Sequence, residues 1–369
     1  MKIQINSNKL KKVINYLNSI ITDFDPINEN TGILIETLEN KIVFKARNKH
    51  LTVKDEIILD NSEIDGFLIK SKTLNEAINK FDDEELIIEK NKNNSINISS
   101  ENINYTLNLL NGNFNYLPIN LNNFKKIFSI DANVLKTQIK AILFCASEKN
   151  QRIILRGINF EINKNEILMI ASDETKIGIS KIKNIKIEEE INFSVNILII
   201  KDILKIIDFG MIDFFINEQS IILINNNKYI ELNILENIYP KVTKFIPKSF
   251  KTELKIKKEE LIKIFNRAML INNIKTISET PVKLIIESKK LILETKDEGI
   301  GKALVKTIEF ESNANEFSIL FNPKFIVETI KTINDPTILI NFNSSEDPFL
   351  VTGLNDKSHH VLILPYIDS

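Results

Sequence analysis

One helical pattern occurs three times in the sequence at nearly constant spacing. In each copy, apolar residues fall at positions i, i+4 and i+7, which form one face of an α-helix. The three copies begin at Leu10, Leu135 and Leu261, which are 125 and 126 residues apart. A short run of alternating apolar residues precedes each copy and predicts a strand leading into the helix. Before the central copy, Asp131 or Asn133 can cap the first turn.

A second helical pattern repeats with the same period. Its copies begin at Leu74, Ile200 and Ile326, spaced 126 residues apart both times. An acidic residue follows each first anchor by two positions, at Glu76, Asp202 and Glu328. Apolar triplets can recur by accident in an Ile-rich chain, but the strands and acids repeat with them. We therefore interpret the pattern as repetition of whole units.

A period of about 125 residues is too long for a solenoid unit, which spans about 20–50 residues, so it indicates repeated domains. We predict an α+β fold with three domains, at residues 1–126, 127–252 and 253–369. Asn-rich turns and β-branched alternation between the helices predict antiparallel strands. Each domain is therefore expected to contain two helices backed by antiparallel sheet.

Composition narrows the function. The chain has 369 residues, 43% of them hydrophobic, and a formal net charge of −1, which disfavours a protein that is basic over its whole surface. The single cysteine, Cys145, excludes an internal disulfide and suits a reducing cytoplasm. We see neither a signal-peptide pattern nor an apolar stretch of the roughly 20 residues that a membrane span needs.

The sequence offers no pattern typical of catalysis. Its three histidines, His50, His359 and His360, have no partners at metal-ligand spacing, and no phosphate-binding glycine loop is present. Cys145 is expected to be a small packing residue near the end of the central helix. We expect no enzymatic activity, no metal and no cofactor.

The repeats and several local motifs together resemble the bacterial DNA polymerase III beta subunit, the beta sliding clamp family. The resemblance covers the whole chain. It rests on the order and spacing of QRIILRGINF (151–160), IASDETKI (170–177), YPKVTKFIP (239–247), FNPKF (321–325) and VLILPY (361–366).

The resemblance implies a processivity factor for DNA replication. Members of this family join head to tail as a homodimeric ring around duplex DNA, without sequence specificity and without catalysis. Implied partners are the replicative polymerase catalytic subunit, the clamp loader, and other polymerases, ligase and mismatch-repair proteins that carry clamp-binding peptides. The expected location is the cytoplasm.

The family architecture places basic helix residues toward the DNA. The candidates are Lys12, Lys72, Lys136, Lys140, Lys201, Lys205, Lys263, Arg267, Lys324 and Lys331. Lys9 and Lys11 add to the positive charge of the first helix. The alternative is that these are ordinary solvated faces of amphipathic helices. With a net charge of −1, a basic inner wall requires acid elsewhere, and Glu188–Glu190 is one such run.

The resemblance also implies a hydrophobic pocket for partner peptides between the second and third domains. Carried onto this sequence, it comprises Arg152, Ile153, Ile154, Leu155, Ser172, Glu174, Thr175, Lys176, Ile177, Pro240, Phe245, Asn322, Phe325, Leu362, Leu364 and Tyr366. The alternative for VLILPY is a final core strand, and both interpretations are compatible. Ser172–Lys176 departs from the usual Thr-Asp-Gly-His-Arg, which leaves the pocket's depth and peptide preference open.

The family resemblance predicts a subunit interface between domain one and domain three of the partner. The expected apolar contacts are Tyr105, Leu107, Leu270 and Ile271; the alternative is that they are core residues. Two rival functions remain at this stage. A nucleic-acid-modifying enzyme would need a cluster of catalytic residues, and a monomeric interaction scaffold would never encircle DNA.

Overall fold

Six α-helices occupy the positions that the repeated patterns predict. The structure is a computed structural model of the chain. It describes residues 2–21, 32–59, 63–111, 121–270 and 280–367. The helices are α1 (Ser7–Ile20), α2 (Ser71–Ile78), α3 (Ala132–Ile142), α4 (Ile197–Ile206), α5 (Lys258–Ala268) and α6 (Pro323–Thr332). Each follows a strand, as predicted, with only Asn322 between the strand and α6.

Short polar side chains begin several of these helices. Oδ1 of Asp131 accepts a hydrogen bond of 2.8 Å from the backbone N–H of Asn133, so the predicted cap of α3 is confirmed for Asp131. Asn6 and Asn322 cap α1 and α6 in the same way. Each acceptor satisfies an N–H that has no partner inside the helix.

The strands are short and lie between the helices. Those of the first third of the chain are β1 (Lys2–Asn6), β2 (Gly32–Leu38), β3 (Lys41–Arg47), β4 (Leu51–Ile58), β5 (Asp65–Lys70), β6 (Glu85–Lys90), β7 (Ser95–Ser99) and β8 (Asn104–Asn108). The central third contains β9 (Lys125–Asp131), β10 (Gly157–Asn163), β11 (Glu166–Ser172), β12 (Lys176–Lys183), β13 (Ile191–Asn196), β14 (Met211–Ile216), β15 (Ser220–Asn225) and β16 (Lys228–Asn233). The last third contains β17 (Thr252–Lys257), β18 (Val282–Glu287), β19 (Lys290–Asp297), β20 (Gly301–Thr307), β21 (Phe310–Ser312), β22 (Glu316–Phe321), β23 (Thr337–Phe342), β24 (Phe349–Gly353) and β25 (His359–Ile363).

Within the described residues the strands form four antiparallel sheets, and two of these sheets continue across the predicted domain boundaries. The small sheets are β1-β6-β7-β8 and β20-β19-β18-β22. An eight-stranded sheet, β5-β2-β3-β4-β16-β15-β14-β9, joins the first and central repeats because β4 pairs with β16. A nine-stranded sheet, β13-β10-β11-β12-β25-β24-β23-β17-β21, joins the central and last repeats because β12 pairs with β25.

The chain divides into two compact units that follow these long sheets. One comprises residues 1–133 with 198–234, and the other comprises 134–197 with 235–369. In the first, the rings of Phe128 and Phe214 stack with centroids 4.3 Å apart. In the second, Phe342 lies 5.3 Å from Phe349. The predicted division at residues 126 and 252 follows the sequence repeat and stays a prediction.

The predicted helix anchors form the buried faces, with one difference. Leu10, Leu135 and Leu261 are all at most 1% exposed. On α4, however, Ile203 is buried and the predicted anchor Leu204 is only half-buried. Because α4 is apolar on several faces, the i, i+4 pattern alone does not determine which residue points inward.

Cys145 packs against a glycine in the second unit. It lies in a single 3₁₀ turn, 143–145, directly after α3 and not on the helix itself. A Cβ added at Gly178 would stand 2.7 Å from its Sγ. Burial raises the pKa of the Cys145 thiol well above its usual value, which suits the packing role predicted from the sequence.

Candidate functional site

The second compact unit contains an apolar cluster built from separate segments of the predicted pocket. Four predicted pocket residues, Ile154, Leu155, Ile177 and Leu362, are buried together. The first two lie in a 3₁₀ turn, 153–156. Ile177 and Leu362 are direct partners across the β12–β25 pairing. Strand pairing therefore brings residues from distant parts of the chain into one cluster.

Four further buried residues of this cluster were not predicted as pocket residues: Ile170, Ile179, Tyr239 and Val242. Ile246, also not predicted, is partly buried and packs against the cluster. Tyr239, Val242 and Ile246 belong to the YPKVTKFIP motif, so the motif could have indicated them. Ile170 and Ile179 carry no signal beyond strand alternation.

Around the cluster, predicted pocket residues expose apolar surface. Ile153, Phe245, Leu364 and Tyr366 are all exposed large apolar side chains. The backbone N–H of Leu364 donates to the Thr175 carbonyl at 3.0 Å. That of Tyr366 donates to Leu320 at 2.7 Å. The final segment thus contributes buried residues at 361–363 and exposed apolar residues just beyond, as both interpretations of VLILPY expected.

The turn between β11 and β12 is organised by Asp173. Its Oδ1 accepts hydrogen bonds of 3.1 Å from the backbone N–H groups of both Thr175 and Lys176. Its other carboxylate oxygen pairs with Nζ of Lys176. The same Nζ lies 4.0 Å from the ring centroid of Phe325, so the buried ammonium is held by a carboxylate and by an aromatic face.

Glu174 occupies a backbone conformation that favours glycine. Its φ is +79°, in the left-handed region where a Cβ is disfavoured. Glu174 stands where the motif Thr-Asp-Gly-His-Arg has its glycine. The turn therefore keeps the same conformation with glutamate in place of glycine, at a cost in backbone strain. The Glu174 side chain reaches Arg152, with Oε1 3.4 Å from Nη1.

Burial shifts two titrating groups around the cluster. It raises the pKa of Tyr239 above its ordinary value. It also raises the pKa of Glu328 on α6, although Lys324, Lys176 and Lys331 act in the opposite direction.

All ten predicted DNA-facing residues lie on the six helices. Eight of them are exposed: Lys12, Lys72, Lys140, Lys205, Lys263, Arg267, Lys324 and Lys331. Lys136 and Lys201 are half-buried. Two of these charges have an acidic partner on the same helix: Nζ of Lys205 lies 3.0 Å from a carboxylate oxygen of Asp202, and Nζ of Lys263 lies 2.9 Å from one of Glu260. Together the six helices contain thirteen Lys and Arg residues and five Asp and Glu residues. The helices therefore carry an excess of eight positive charges, although the net charge of the whole chain is −1.

The predicted interface residues lie in different surroundings. Tyr105 and Leu107 lie on β8, an edge strand of its sheet, and the Tyr105 ring packs edge-on against Phe81. Leu270 is 64% exposed just after α5, whereas Ile271 lies outside the described residues. Leu304 is also exposed, on the edge strand β20.

Among the described residues, no group of three or more His, Cys, Asp or Glu side chains could hold a metal ion. His359 and His360 begin strand β25. Nor does any helix in the described ranges have the length and apolarity that crossing a membrane requires.

Solved structures with the same architecture define a class. The Bacillus subtilis DNA polymerase sliding clamp superposes with a TM-score of 0.91 at 22% identity, covering 100% of both chains. The DNA polymerase III beta subunit of Thermotoga maritima gives 0.91 at 21% identity, again over 100% of both. The fold is therefore that of a sliding clamp, with three repeated two-helix domains.

Sequence comparison adds the family. Residues 129–241 match the model of the DNA polymerase III beta subunit central domain and residues 243–367 that of its C-terminal domain, together more than half of the chain. The Mycoplasma capricolum beta sliding clamp is 24% identical over 98% of this chain and 96% of its own. That of Bacillus subtilis is 26% identical over 64% of this chain and 63% of its own length. The chain belongs to the bacterial DNA polymerase III beta subunit family, the beta sliding clamps.

Proposed function

We propose that this chain acts as a non-catalytic processivity clamp, which encircles duplex DNA as a head-to-tail dimer and tethers DNA-processing proteins. The charge distribution supports this proposal most directly. The six repeated helices carry an excess of eight positive charges while the whole chain carries −1. Basic side chains directed at phosphates bind without reading sequence, because base contacts would fix the protein at one position.

The apolar cluster and its rim serve as the docking site for partner peptides. Buried Leu155, Ile177 and Leu362 form a floor, and exposed Phe245 and Tyr366 offer apolar contacts to an incoming chain. Burying one Leu or Phe anchor contributes about 1.5–3 kcal/mol. Two or three such anchors, after the cost of ordering a peptide, give a weak contact that partners can exchange.

The partners follow from the family: the replicative polymerase catalytic subunit, a clamp loader, and other polymerases, ligase and mismatch-repair proteins with clamp-binding peptides. The site of action is the cytoplasm. The dimer forms where the edge strands β8 and β20 of two subunits meet, which satisfies backbone groups that each edge leaves unpaired. Leu107 and Leu270 contribute apolar contacts there.

Retention on closed circular DNA tests the ring. Protein assembled on a nicked circle should remain bound through gel filtration and should be lost once the circle is cut open, because a ring slides off a free end. Equal retention on circular and linear DNA contradicts encirclement.

A charged residue at the interface tests the dimer. Leu270→Asp should convert a dimer into monomers in sedimentation measurements, and Ile238→Asp, at a position 95% exposed, should leave the mass unchanged. A Leu270→Asp protein with the mass of the parent contradicts this interface.

A further inference from the structure

The ion pair between Arg152 and Glu174 joins two segments of the candidate peptide pocket. Arg152 stands directly before the 3₁₀ turn 153–156, and Glu174 lies in the turn between β11 and β12. Nη1 of Arg152 is 3.4 Å from Oε1 of Glu174, and the two side chains are 57% and 55% exposed. The pair therefore lies at the solvent-facing rim of the pocket and not in its buried floor.

The two segments are also held together by Asn150, independently of the ion pair. Its Nδ2 donates to the backbone carbonyl of Asp173 at 3.4 Å, and its Oδ1 accepts from the backbone N–H of Arg152 at 2.8 Å. The backbone carbonyl of Asn150 accepts from Nε of Arg156 at 2.6 Å. The side chains of Arg152 and Glu174 can therefore separate while the backbone segments that carry them stay in place.

Folding stability does not explain a glutamate at position 174. With φ at +79°, the side chain strains the backbone where glycine would not. An ion pair between two half-exposed groups contributes less than this strain costs. Strained backbone positions occur preferentially at ligand-binding sites, so a reason for Glu174 is to be sought in what the pocket binds.

Arg152 is the cation of the predicted pocket that a docked peptide can reach. The other cation, Lys176, is 5% exposed and already pairs with Asp173. A guanidinium binds carboxylates through its fork of N–H donors, so an acidic side chain of a peptide would be its natural ligand. Glu174 offers Arg152 such a carboxylate from within the chain.

We propose that Glu174 determines peptide specificity by competing for Arg152 with acidic side chains of the docked peptide. An acidic peptide must displace Glu174 and then meets its like charge, whereas an uncharged peptide leaves the ion pair intact. Selectivity of this kind comes from an unfavourable contact with the rejected ligand. This clamp therefore favours peptides that are uncharged beside their apolar anchors. The role of Glu174 rests on the proposed docking of partner peptides.

Calorimetric titration of the full-length protein with matched peptides tests this competition. Each pair of peptides contains Gln-Leu-Phe and differs only in carrying Asp or Asn at one flanking position, which is moved through the series so that no docking register is assumed. The measured quantity is the ratio of the two affinities. Glu174→Gln should shift this ratio toward the Asp peptide by about two- to fivefold at one position or more, the range that exposed ion pairs give.

Two further variants identify the cause of the shift. Adding Arg152→Gln to Glu174→Gln should return the ratio to about that of the parent, because the cation that attracts the Asp peptide is gone. Glu188→Gln is the matched control, since it removes the same charge at an exposed position in the connection between β12 and β13, and it should keep the parent's ratio.

A ratio that Glu174→Gln leaves unchanged at every position overturns the competition, as does an equal shift in the Glu188 variant. In either case the peptide-docking site itself stands, because the peptides still bind. Failure of every peptide to bind the parent protein overturns the docking site and this role of Glu174 together.

Discussion

Nζ of Lys228 lies 2.8 Å from Oδ2 of Asp208 and 2.8 Å from the carbonyl oxygen of Ile206, although Lys228 is only 5% exposed. The same ammonium stands 4.6 Å from the ring centroid of Tyr16 on α1. Burial alone would raise the pKa of Asp208, but hydrogen bonds from Lys228 and Lys12 lower it. A buried cation thus ties strand β16 to the end of α4 and to the first helix.

Removing this cation should destabilise the first unit strongly. Lys228→Met leaves Asp208 and the Ile206 carbonyl without their buried partner, which typically costs about 3–5 kcal/mol. The free energy of unfolding from a urea titration measures it. Lys205→Met is the control, since Lys205 pairs with Asp202 at the surface and such pairs contribute at most about 1 kcal/mol. Similar costs for the two variants contradict a structural role for Lys228.

Glu174 should tolerate glycine and reject a β-branched residue. With φ at +79°, Glu174→Val should cost about 1–2 kcal/mol, the usual penalty of the left-handed conformation. Glu174→Gly relieves the backbone strain of the folded state, but it also gives the unfolded chain more conformational freedom, which opposes folding. The net effect on stability should be neutral or stabilising by up to about 1 kcal/mol. Thermal unfolding measures both, with Glu311→Val on the exposed face of β21 as control. A Val variant as stable as the parent shows that this turn relaxes freely.

Truncating the apolar rim should weaken peptide binding without unfolding the protein. Phe245 is 56% exposed, so Phe245→Ala costs little stability but removes an apolar contact worth about 1–2 kcal/mol when covered. Calorimetric titration with a peptide containing Gln-Leu-Phe should show a loss of about tenfold in affinity. Ile238→Ala, in the same connecting segment, should bind like the parent. Unchanged affinity of the Phe245 variant removes this residue from the pocket.

Acid should destabilise the second unit through the partly buried His360. Burial, helped by Lys181, His359 and Lys357, lowers the pKa of His360 from 6.5 to about 4; burial and Lys258 lower that of His359, while Asp356 opposes them. Because the unfolded chain binds protons at higher pH than the folded one, stability is full above pH 6.5 and falls as the pH drops toward 4. The loss from His360 alone is on the order of 2 kcal/mol by pH 4.5.

Urea titrations at pH 7, 5.5 and 4.5 measure this loss. His360→Gln should flatten the decline, whereas His50→Gln, at an exposed position, should leave it unchanged. A decline equally steep in the His360 variant assigns the acid sensitivity to other groups.

The spacing of apolar residues predicted the positions of all six helices, because the buried face of an amphipathic helix appears as apolar residues three or four positions apart. The copies at Leu10, Leu135 and Leu261 are each buried at the predicted spacing. Where a helix is apolar on several faces, as α4 is, the same signal chose Leu204 over the buried Ile203. Strand alternation predicted antiparallel sheets but carried no information on partners, so the pairing of β4 with β16 could not be predicted.

The candidate pocket was located through motif resemblance, and its electrostatics were not predictable. Nothing local distinguishes Lys176, buried between Asp173 and Phe325, from the solvated lysines of the helices. The same holds for Lys228, whose partners lie on other elements. The sequence by itself determined the threefold repeat, the helix positions and the strand-to-helix order, because these depend on neighbours within one turn or one strand. Only the tertiary structure decided which charges are buried and which sheets continue from one repeat to the next, because those depend on contacts between residues far apart in the chain.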